Sequence, residues 1–201
     1  MRLFYSPASP YVRKVLVAAH ETGLADRLEL VATSVWGDDG RYRAINPLCR
    51  IPALELDDGR VLVDSLVICC HLDGLHDGAA LLPGSDGRAP VEELHLHAVA
   101  NGILDAGLTL RLDQRRGIDR PGDPLMLRQY DAIRAGLDYF ERDPAPVTDR
   151  VCLAAITLGV ACGYLDFRFP DLDWRATRPG LAAWYGIFSE RASMRATRPH
   201  D

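Results

Sequence analysis

The sequence contains a single lysine, Lys14, although lysine and arginine together number 23 among its 201 residues. Its formal net charge is −5 at pH 7. No segment combines a basic stripe with interleaved aromatic residues, the pattern by which proteins hold phosphates and bases. We therefore expect no nucleic-acid partner.

Long apolar runs are also missing. The longest, residues 151–165, is interrupted by Thr157 and is shorter than the ~20 residues that a membrane-spanning helix needs. It predicts a buried core helix, and we expect no membrane association. The first residues lack the basic, apolar and small-residue regions of a secretory signal, which leads us to expect a cytoplasmic protein.

The five cysteines show no Cys-x-x-Cys spacing and are odd in number. Cys69 and Cys70 are adjacent, which makes a bridge between them geometrically difficult. Most of the five lie in apolar segments, so we interpret them as reduced core residues of a cytosolic protein. His95 and His97 are two residues apart on a predicted helix and face different directions, so we expect no metal site.

The first eighty residues alternate between strand and helix patterns. Residues 2–5 predict a strand, Ser9 and Pro10 predict the N-cap and first position of a helix, and Gly23 predicts its end. Residues 28–35 predict a second strand, which a right-handed crossover makes parallel to the first. The order continues as β-α-β-β-β-α or βαβαββα, depending on whether residues 38–44 form a helical turn.

The stretch from residue 46 to residue 65 is the most informative part of the chain. Residues 53–56 and 61–63 are short apolar runs joined by an Asp-Gly turn, which predicts a hairpin. A proline just before a strand leaves the adjacent backbone free to pair with an extended ligand. Ser65 then opens a predicted helix, whose N-terminus attracts anions. Together these features predict a site for a peptide carboxylate.

The second half of the chain is predicted to be helical. Residues 76–88 are interrupted by glycine and proline, whereas residues 89–116, 126–140 and 152–167 have helical periodicity. We therefore predict a first domain over residues 1–76, a linker over 77–88 and an all-helical domain over 89–201.

Several motifs resemble the glutathione S-transferase family, and in particular its bacterial, serine-type, cytosolic members. They are Arg-Ile-Pro-Ala-Leu at 50–54, the hairpin, Asp-Ser at 64–65, Ser-Pro-Tyr-Val-Arg-Lys-Val at 9–15, and the segment 153–168. The resemblance implies an α/β thioredoxin-like N-terminal domain and an all-α C-terminal domain. It also implies a cis bond before Pro52, glutathione as co-substrate, a small hydrophobic electrophile and a homodimer.

The resemblance assigns roles to individual residues. Ser9 would stabilise the thiolate of glutathione, although spacing alone favours a simple N-cap; Tyr5 is the second choice for this role. Glutathione would be bound by a set on the first domain: Arg50, Ile51, Pro52, Asp64 and Ser65. The electrophile would be held by residues of the first long helix of the second domain: Ile103, Leu104, Leu108 and Arg111. Helix packing is the equal alternative for this last group.

The predicted function is conjugation of the glutathione thiolate to an electrophile. Two alternatives remain: a non-catalytic binding or interaction protein of the same fold, and a glutathione-dependent peroxidase or dehalogenase.

One position departs from the family pattern. The family places a Ser/Thr-x-x-Asp capping box at the start of the central helix of the second domain, and this chain has Cys152 and Ala155 there. Both hydrogen bonds of the box are predicted to be missing, with Thr148 or Asp149 as substitute caps. Restoring the box is then expected to stabilise the fold by about 1–2 kcal/mol.

Overall fold

The chain forms two compact units in the computed structural model, which describes residues 1–36, 40–82, 91–118, 120, 122–144, 147 and 150–201. The first unit consists of Met1–Leu82 together with Ala192–Asp201, and the second of Pro83–Arg191. Of the predicted linker over 77–88, residues 83–88 lie outside the described residues. The predicted boundaries of the domains therefore stay a prediction, with one difference at the end of the chain that is described below.

The first unit is a four-stranded sheet with helices. Its strands are β1 (Arg2–Tyr5), β2 (Glu29–Ala32), β3 (Ala53–Glu55) and β4 (Val61–Leu62). Its first three helices are α1 (Pro10–Glu21), α2 (Arg41–Ile45) and α3 (Ser65–Asp73), and a 3-10 turn covers Ala25–Arg27. The element order is therefore βαβαββα, the second of the two predicted orders.

The strands are arranged in the order β2-β1-β3-β4. β1 and β2 are parallel, as the crossover rule predicts, and the other two pairs are antiparallel. β2 is shorter than the predicted strand over 28–35, because its hydrogen-bonding partner β1 is only four residues long.

Local sequence signals account for the ends of these elements. The Ser9 hydroxyl caps α1 by accepting a hydrogen bond from the Val12 N–H, and Gly23 follows the helix with a φ of 71°. Gly59 closes the hairpin between β3 and β4 with a φ of 84°, a conformation that glycine adopts without steric cost. The Asp64 carboxylate caps α3.

Both faces of the sheet are covered. On one face, Tyr42 of α2 packs against Phe4 and Ala53, which are opposite each other in neighbouring strands. Leu3 and Leu54, the next pair in the ladder, point to the other face and are fully buried. α1 and α3 pack against one another.

The second unit is helical in its described residues. Its helices are α4 (Val91–Arg115), α5 (Pro124–Arg142), α6 (Leu153–Arg168) and α7 (Pro179–Phe188). α4 packs against both α5 and α6. Residues 153–165 of α6 are buried on all sides, which confirms the prediction of a core helix from the long apolar run. Among the helices that the structure describes, none combines the length and apolarity that crossing a membrane requires.

The end of the chain differs from the predicted domain organisation. A short helix, α8 (Ala192–Ala196), belongs to the first unit rather than to the helical one. Met194 is completely buried, and its carbonyl oxygen accepts a hydrogen bond from Arg13 of α1 at 3.1 Å. Ser193 donates a second hydrogen bond, to Glu21. These contacts join positions 181 and 172 residues apart, and a local sequence pattern does not reveal them.

The prediction that both capping-box hydrogen bonds are missing at α6 is wrong for one of the two. The bond from the Ala155 N–H to the side chain of residue 152 forms, whereas Ala155 has no side-chain acceptor that could reach back to the Cys152 N–H. The Cys152 sulfur accepts a hydrogen bond from the Ala155 N–H at 3.4 Å. The neighbouring Ala154 N–H donates to the Glu93 carboxylate of α4 at 2.6 Å. A buried acid from another helix thus supplies what the local sequence lacks. Thr148 and Asp149, the predicted substitutes, lie outside the described residues.

Candidate functional site

The segments predicted to bind glutathione meet at one end of the sheet. β3 is antiparallel to β1, so the beginning of β3 lies beside the end of β1, and Ala53 is opposite Phe4. β4 is antiparallel to β3, with Leu62 opposite Leu54, so the end of β4 reaches the same place. Tyr5, the Ile51–Pro52 corner and the Asp64–Ser65 pair therefore lie at the same end of the sheet, where the loop leading to Ser9 also begins.

Ser9 lies at the N-terminus of α1, where the helix dipole favours negative charge. Its hydroxyl oxygen accepts the Val12 N–H at 3.4 Å. Its hydroxyl proton has no acceptor among the residues that the structure describes. The hydroxyl is therefore able to cap the helix and to donate a hydrogen bond to a ligand at the same time.

Tyr5 ends β1 and is partly exposed. It follows Phe4, which packs on Tyr42, and successive strand residues point to opposite faces of a sheet. Its phenol makes no hydrogen bond within the described part of the chain. Tyr5 is thus at the correct end of the sheet, but no described residue orients its hydroxyl through a hydrogen bond.

The corner before β3 presents an unpaired backbone. Ile51–Pro52 is a cis peptide bond, as the family resemblance implies, and Val63–Asp64 is also cis. The N–H and C=O of Ile51 make no hydrogen bond with any described residue. The Arg50 side chain is exposed and forms no ion pair within the same set of residues.

Two residues behind this corner were not singled out from the sequence. The Tyr42 hydroxyl and the Asn46 side-chain amide both donate to the Arg50 carbonyl oxygen, at 2.8 Å and 2.6 Å. Burial is the main reason that the pKa of Tyr42 is raised to about 12, so its hydroxyl keeps its proton. The Asn-Pro pair at 46–47 is a turn signal that could have drawn attention to Asn46. Tyr42, eight residues from its acceptor, gave no comparable signal.

Asp64 and Ser65 form the start of α3. Asp64 Oδ1 accepts the N–H groups of Leu66 and Val67 at 3.1 Å and 3.5 Å, and its Oδ2 is left without a hydrogen bond from the described residues. Ser65 is only 4% exposed, yet neither its hydroxyl nor its N–H has a partner there. Unpaired donors at the N-terminus of a helix are suited to an anionic group.

The four residues predicted to hold the electrophile separate into two pairs. Ile103 and Leu104 are completely buried, and Ile103 packs so closely on Gly136 of α5 that a β-carbon there would lie 2.6 Å from its Cγ1 atom. Ile103 therefore serves helix packing, which is the alternative prediction for this group. Leu104 is also buried and is no longer a candidate for the electrophile pocket. Leu108 and Arg111 are partly exposed and stay candidates.

The helical unit also contains a cavity of about 520 Å³. It is lined by residues between Arg134 and Arg178 and includes the ion pair of Asp138 with Arg178, whose atoms are 2.6 Å apart. None of the described residues that line it belongs to the predicted glutathione or electrophile groups.

The cysteines are free thiols, and several are poor nucleophiles. Burial raises the pKa of Cys69 to about 12 and that of Cys152 to about 11, and it also raises the pKa of Cys162. Within the described residues, no group of three His, Cys, Asp or Glu side chains is placed to hold a metal ion.

Comparison with known proteins identifies the family. The model described as "Glutathione S-transferase, N-terminal domain" matches residues 8–75, and the one described as "Glutathione S-transferase, C-terminal domain" matches residues 105–186. The chain is 32% identical over 205 residues to an uncharacterised GST-like protein, YibF, of Escherichia coli K12; the match covers 99% of this chain and 98% of that protein.

Solved structures agree with this assignment. A glutathione transferase family member from Pseudomonas fluorescens Pf-5, crystallised with bound glutathione, is 44% identical with a TM-score of 0.91, covering 100% of this chain and 99% of that one. A glutathione S-transferase from Methylobacillus flagellatus KT with glutathione bound is 33% identical with a TM-score of 0.88, covering 99% of each chain. These matches span both the α/β unit and the helical unit, and they lead to one conclusion: the chain belongs to the glutathione S-transferase family.

Proposed function

We propose that the chain binds glutathione at this end of the sheet and catalyses its conjugation to a small hydrophobic electrophile. The observation that carries the proposal is Ser65 at the start of α3, a buried residue whose hydroxyl and N–H both lack a partner among the described residues. Donors at the N-terminus of a helix are suited to an anionic group, and the γ-glutamyl carboxylate of glutathione would bond both. The glutathione complexes of the similar structures support the choice of ligand.

The rest of the tripeptide follows from the positions of the other groups. The unpaired N–H and C=O of Ile51 would bond the cysteinyl unit main chain to main chain, with Pro52 fixing the corner. Asp64 Oδ2 would meet the ammonium of the γ-glutamyl group. Arg50 would meet the glycyl carboxylate, to which its planar guanidinium is suited.

Ser9 is the proposed activating residue. A free thiol has a pKa of about 8.5, and lowering it by two units requires about 2.7 kcal/mol of preferential interaction with the thiolate. One charge-assisted hydrogen bond from the Ser9 hydroxyl, together with the dipole of α1, is of that size. The thiolate sulfur then attacks the electrophilic carbon, a C–S bond forms, and the leaving group departs with the displaced electron pair. Tyr5 is the alternative donor.

We further propose that Leu108 and Arg111, the partly exposed pair of α4, contact the electrophile. We also propose that the protein is a cytoplasmic homodimer. Sedimentation in solution tests the dimer, and changes in the KM for the electrophile in Leu108→Ala test the contact.

The first experiment is calorimetry with glutathione on the wild type and on Ser65→Ala, with Ser189→Ala as a matched control. Ser189 is remote in sequence and its hydroxyl donates to Gly186, so its loss should leave binding unchanged. Binding that is lost only in Ser65→Ala supports the site. No binding by the wild type at several millimolar glutathione would contradict the proposal and favour a non-catalytic interaction protein.

The second experiment tests catalysis. The ultraviolet absorbance of the bound thiolate should appear below neutral pH in the wild type and at higher pH in Ser9→Ala, with turnover of a model electrophile reduced in parallel. A change in Tyr5→Phe alone would transfer the role to Tyr5. Binding without turnover of any conjugation, peroxide or haloalkane substrate would indicate a binding protein.

A further inference from the structure

We infer that Tyr42 and Asn46 are positioning residues that orient the backbone of Ile51 toward glutathione. The inference rests on the proposed glutathione site. It begins from the convergence of two side-chain donors on one oxygen: the Tyr42 hydroxyl and the Asn46 amide both bond the Arg50 carbonyl, at 2.8 Å and 2.6 Å. A carbonyl oxygen has two lone pairs, and this one uses both.

The rigidity of the peptide unit carries this constraint to Ile51. The Arg50 carbonyl and the Ile51 N–H belong to the same peptide plane, and that bond is trans. In a trans peptide the two groups point in opposite directions. Holding the Arg50 oxygen toward Tyr42 and Asn46 therefore turns the Ile51 N–H away from them, and this N–H has no partner among the described residues.

The two donors are themselves anchored to the sheet. The Tyr42 ring packs against Phe4 of β1 with ring centroids 5.6 Å apart. The Asn46 N–H donates to the Tyr42 carbonyl at 2.8 Å, and Asn46 Oδ1 accepts the Leu48 N–H at 3.0 Å. Tyr42 and Asn46 are 6% and 1% exposed. Two buried side chains thus fix the orientation of the Arg50–Ile51 peptide.

The loop needs this support because its own conformation is unfavourable. Cys49 has a φ of 50°, in the left-handed region that residues other than glycine rarely adopt. Without the hydrogen bonds from Tyr42 and Asn46 to the Arg50 carbonyl, the loop would relax and the Ile51 peptide would sample other orientations. The expected loss is in glutathione affinity and not in the chemical step, because Ser9 lies on a different element.

The test uses Tyr42→Phe, which removes the hydroxyl and keeps the ring, and Tyr139→Phe as a matched control in the helical unit. The Tyr139 hydroxyl lies 3.2 Å from His95 and far in sequence from the site. Tyr42→Phe should weaken glutathione binding about three- to tenfold, the value of one hydrogen bond. Its kcat at saturating glutathione should stay within about twofold of wild type, and Tyr139→Phe should change neither.

A second measurement separates positioning from general loosening of the fold. In an analogue of glutathione whose cysteinyl–glycyl amide is replaced by an alkene isostere, the cysteinyl C=O is missing, so the bond from the Ile51 N–H cannot form. Wild type should prefer glutathione over this analogue about tenfold. In Tyr42→Phe the preference should shrink, because the Ile51 backbone is no longer held. A variant that is merely less stable would keep the same preference.

Asn46→Asp provides an independent variant. It keeps Oδ1 for the Leu48 N–H and replaces the donor to Arg50 by an oxygen, so its affinity and its preference for glutathione should also fall. Circular dichroism and melting confirm that each variant is folded. Unchanged affinity and preference in both folded variants would overturn the inference and leave the proposed function intact. No glutathione binding by the wild type would overturn both.

Discussion

Glu93 of α4 caps a helix that begins sixty residues later: its carboxylate accepts the Ala154 N–H at 2.6 Å. Glu93 is 4% exposed, and its second oxygen lies 3.4 Å from the Arg150 guanidinium. The carboxylate is thus bonded on both oxygens. In this protein a tertiary contact thus satisfies an N–H group at the start of α6, next to the one that the local Cys152 sulfur caps.

Glu93→Ala should lower the free energy of unfolding by about 1–3 kcal/mol, because the buried Ala154 N–H loses its acceptor. Urea unfolding measures the change. Glu92→Ala is the control, since Glu92 is the neighbouring acid and is exposed. Equal losses in the two variants would show that the acidic first turn of α4, and not the cap, is responsible.

Restoring the capping box should not stabilise the fold, contrary to what the sequence alone predicts. Cys152→Ser alone should raise the free energy of unfolding by at most about 1 kcal/mol, because oxygen is a better acceptor than sulfur for the Ala155 N–H. Ala155→Asp would place a second carboxylate at a completely buried position one residue from the group that Glu93 bonds.

The buried carboxylate should therefore cost more stability than the serine adds, so the double variant should be less stable than both Cys152→Ser and the wild type. Melting of the wild type, the single variant and the double variant in parallel checks this order. A double variant that melts highest would contradict it.

Replacement by alanine should change the stability of the protein in opposite directions at two helical glycines. A β-carbon at Gly102 has no neighbour within 4 Å, so Gly102→Ala should stabilise by about 0.5–1 kcal/mol through helix propensity. A β-carbon at Gly136 would lie 2.6 Å from Ile103 Cγ1, so Gly136→Ala should cost about 1–3 kcal/mol from overpacking, less the propensity gain.

Each variant serves as the control for the other, and thermal unfolding gives both values. A stabilising Gly136→Ala would show that Ile103 moves easily. It would then return Ile103 to the candidates for the electrophile pocket.

Stability should fall on the alkaline side of about pH 8.5. Burial raises the pKa of Cys69 to about 12 and that of Cys152 to about 11, whereas an unfolded thiol has a pKa of about 8.5. The contribution of each thiol is fully present below about pH 8.5. It is lost as the pH rises toward the folded pKa, because only the unfolded state has released its proton. The slope approaches about 1.4 kcal/mol per pH unit for each thiol once the unfolded thiol is fully deprotonated.

Urea midpoints between about pH 7.5 and about pH 9.5 measure this slope. Cys69→Ala should reduce the slope of stability against pH by the contribution of one thiol. Cys70→Ala is the control and should change this slope less, because Cys70 is exposed. An unchanged slope in Cys69→Ala would show that another group causes the loss.

The sequence was sufficient wherever the determinant is local. Ser9 and Pro10 predict the start of α1, the Asp-Gly turn predicts the hairpin, and Asp64 precedes the helix that it caps. The convergence of three segments at one sheet end also follows from strand order. These features depend on residues a few positions apart, or on general rules of chain crossover.

The features that were missed depend on distant partners. No local pattern joins Tyr42 to the Arg50 carbonyl, Glu93 to Ala154, or the end of the chain to α1. The pocket prediction was incomplete for the same reason: periodicity shows which face of α4 is apolar, but not that α5 brings a glycine against Ile103. Packing decides between a pocket wall and a core, and packing is set by residues elsewhere in the chain.

The position of α8 has a consequence for synthesis on the ribosome. A first unit made only of residues 1–82 could complete its fold while the helical unit was still being translated, as N-terminal domains generally do. Here the completely buried Met194 and its bond with Arg13 become available only after residues 192–196 have left the ribosome. The first unit to be translated is therefore the last to be completed. Until then, the surface of α1 that Met194 covers in the folded protein stays exposed.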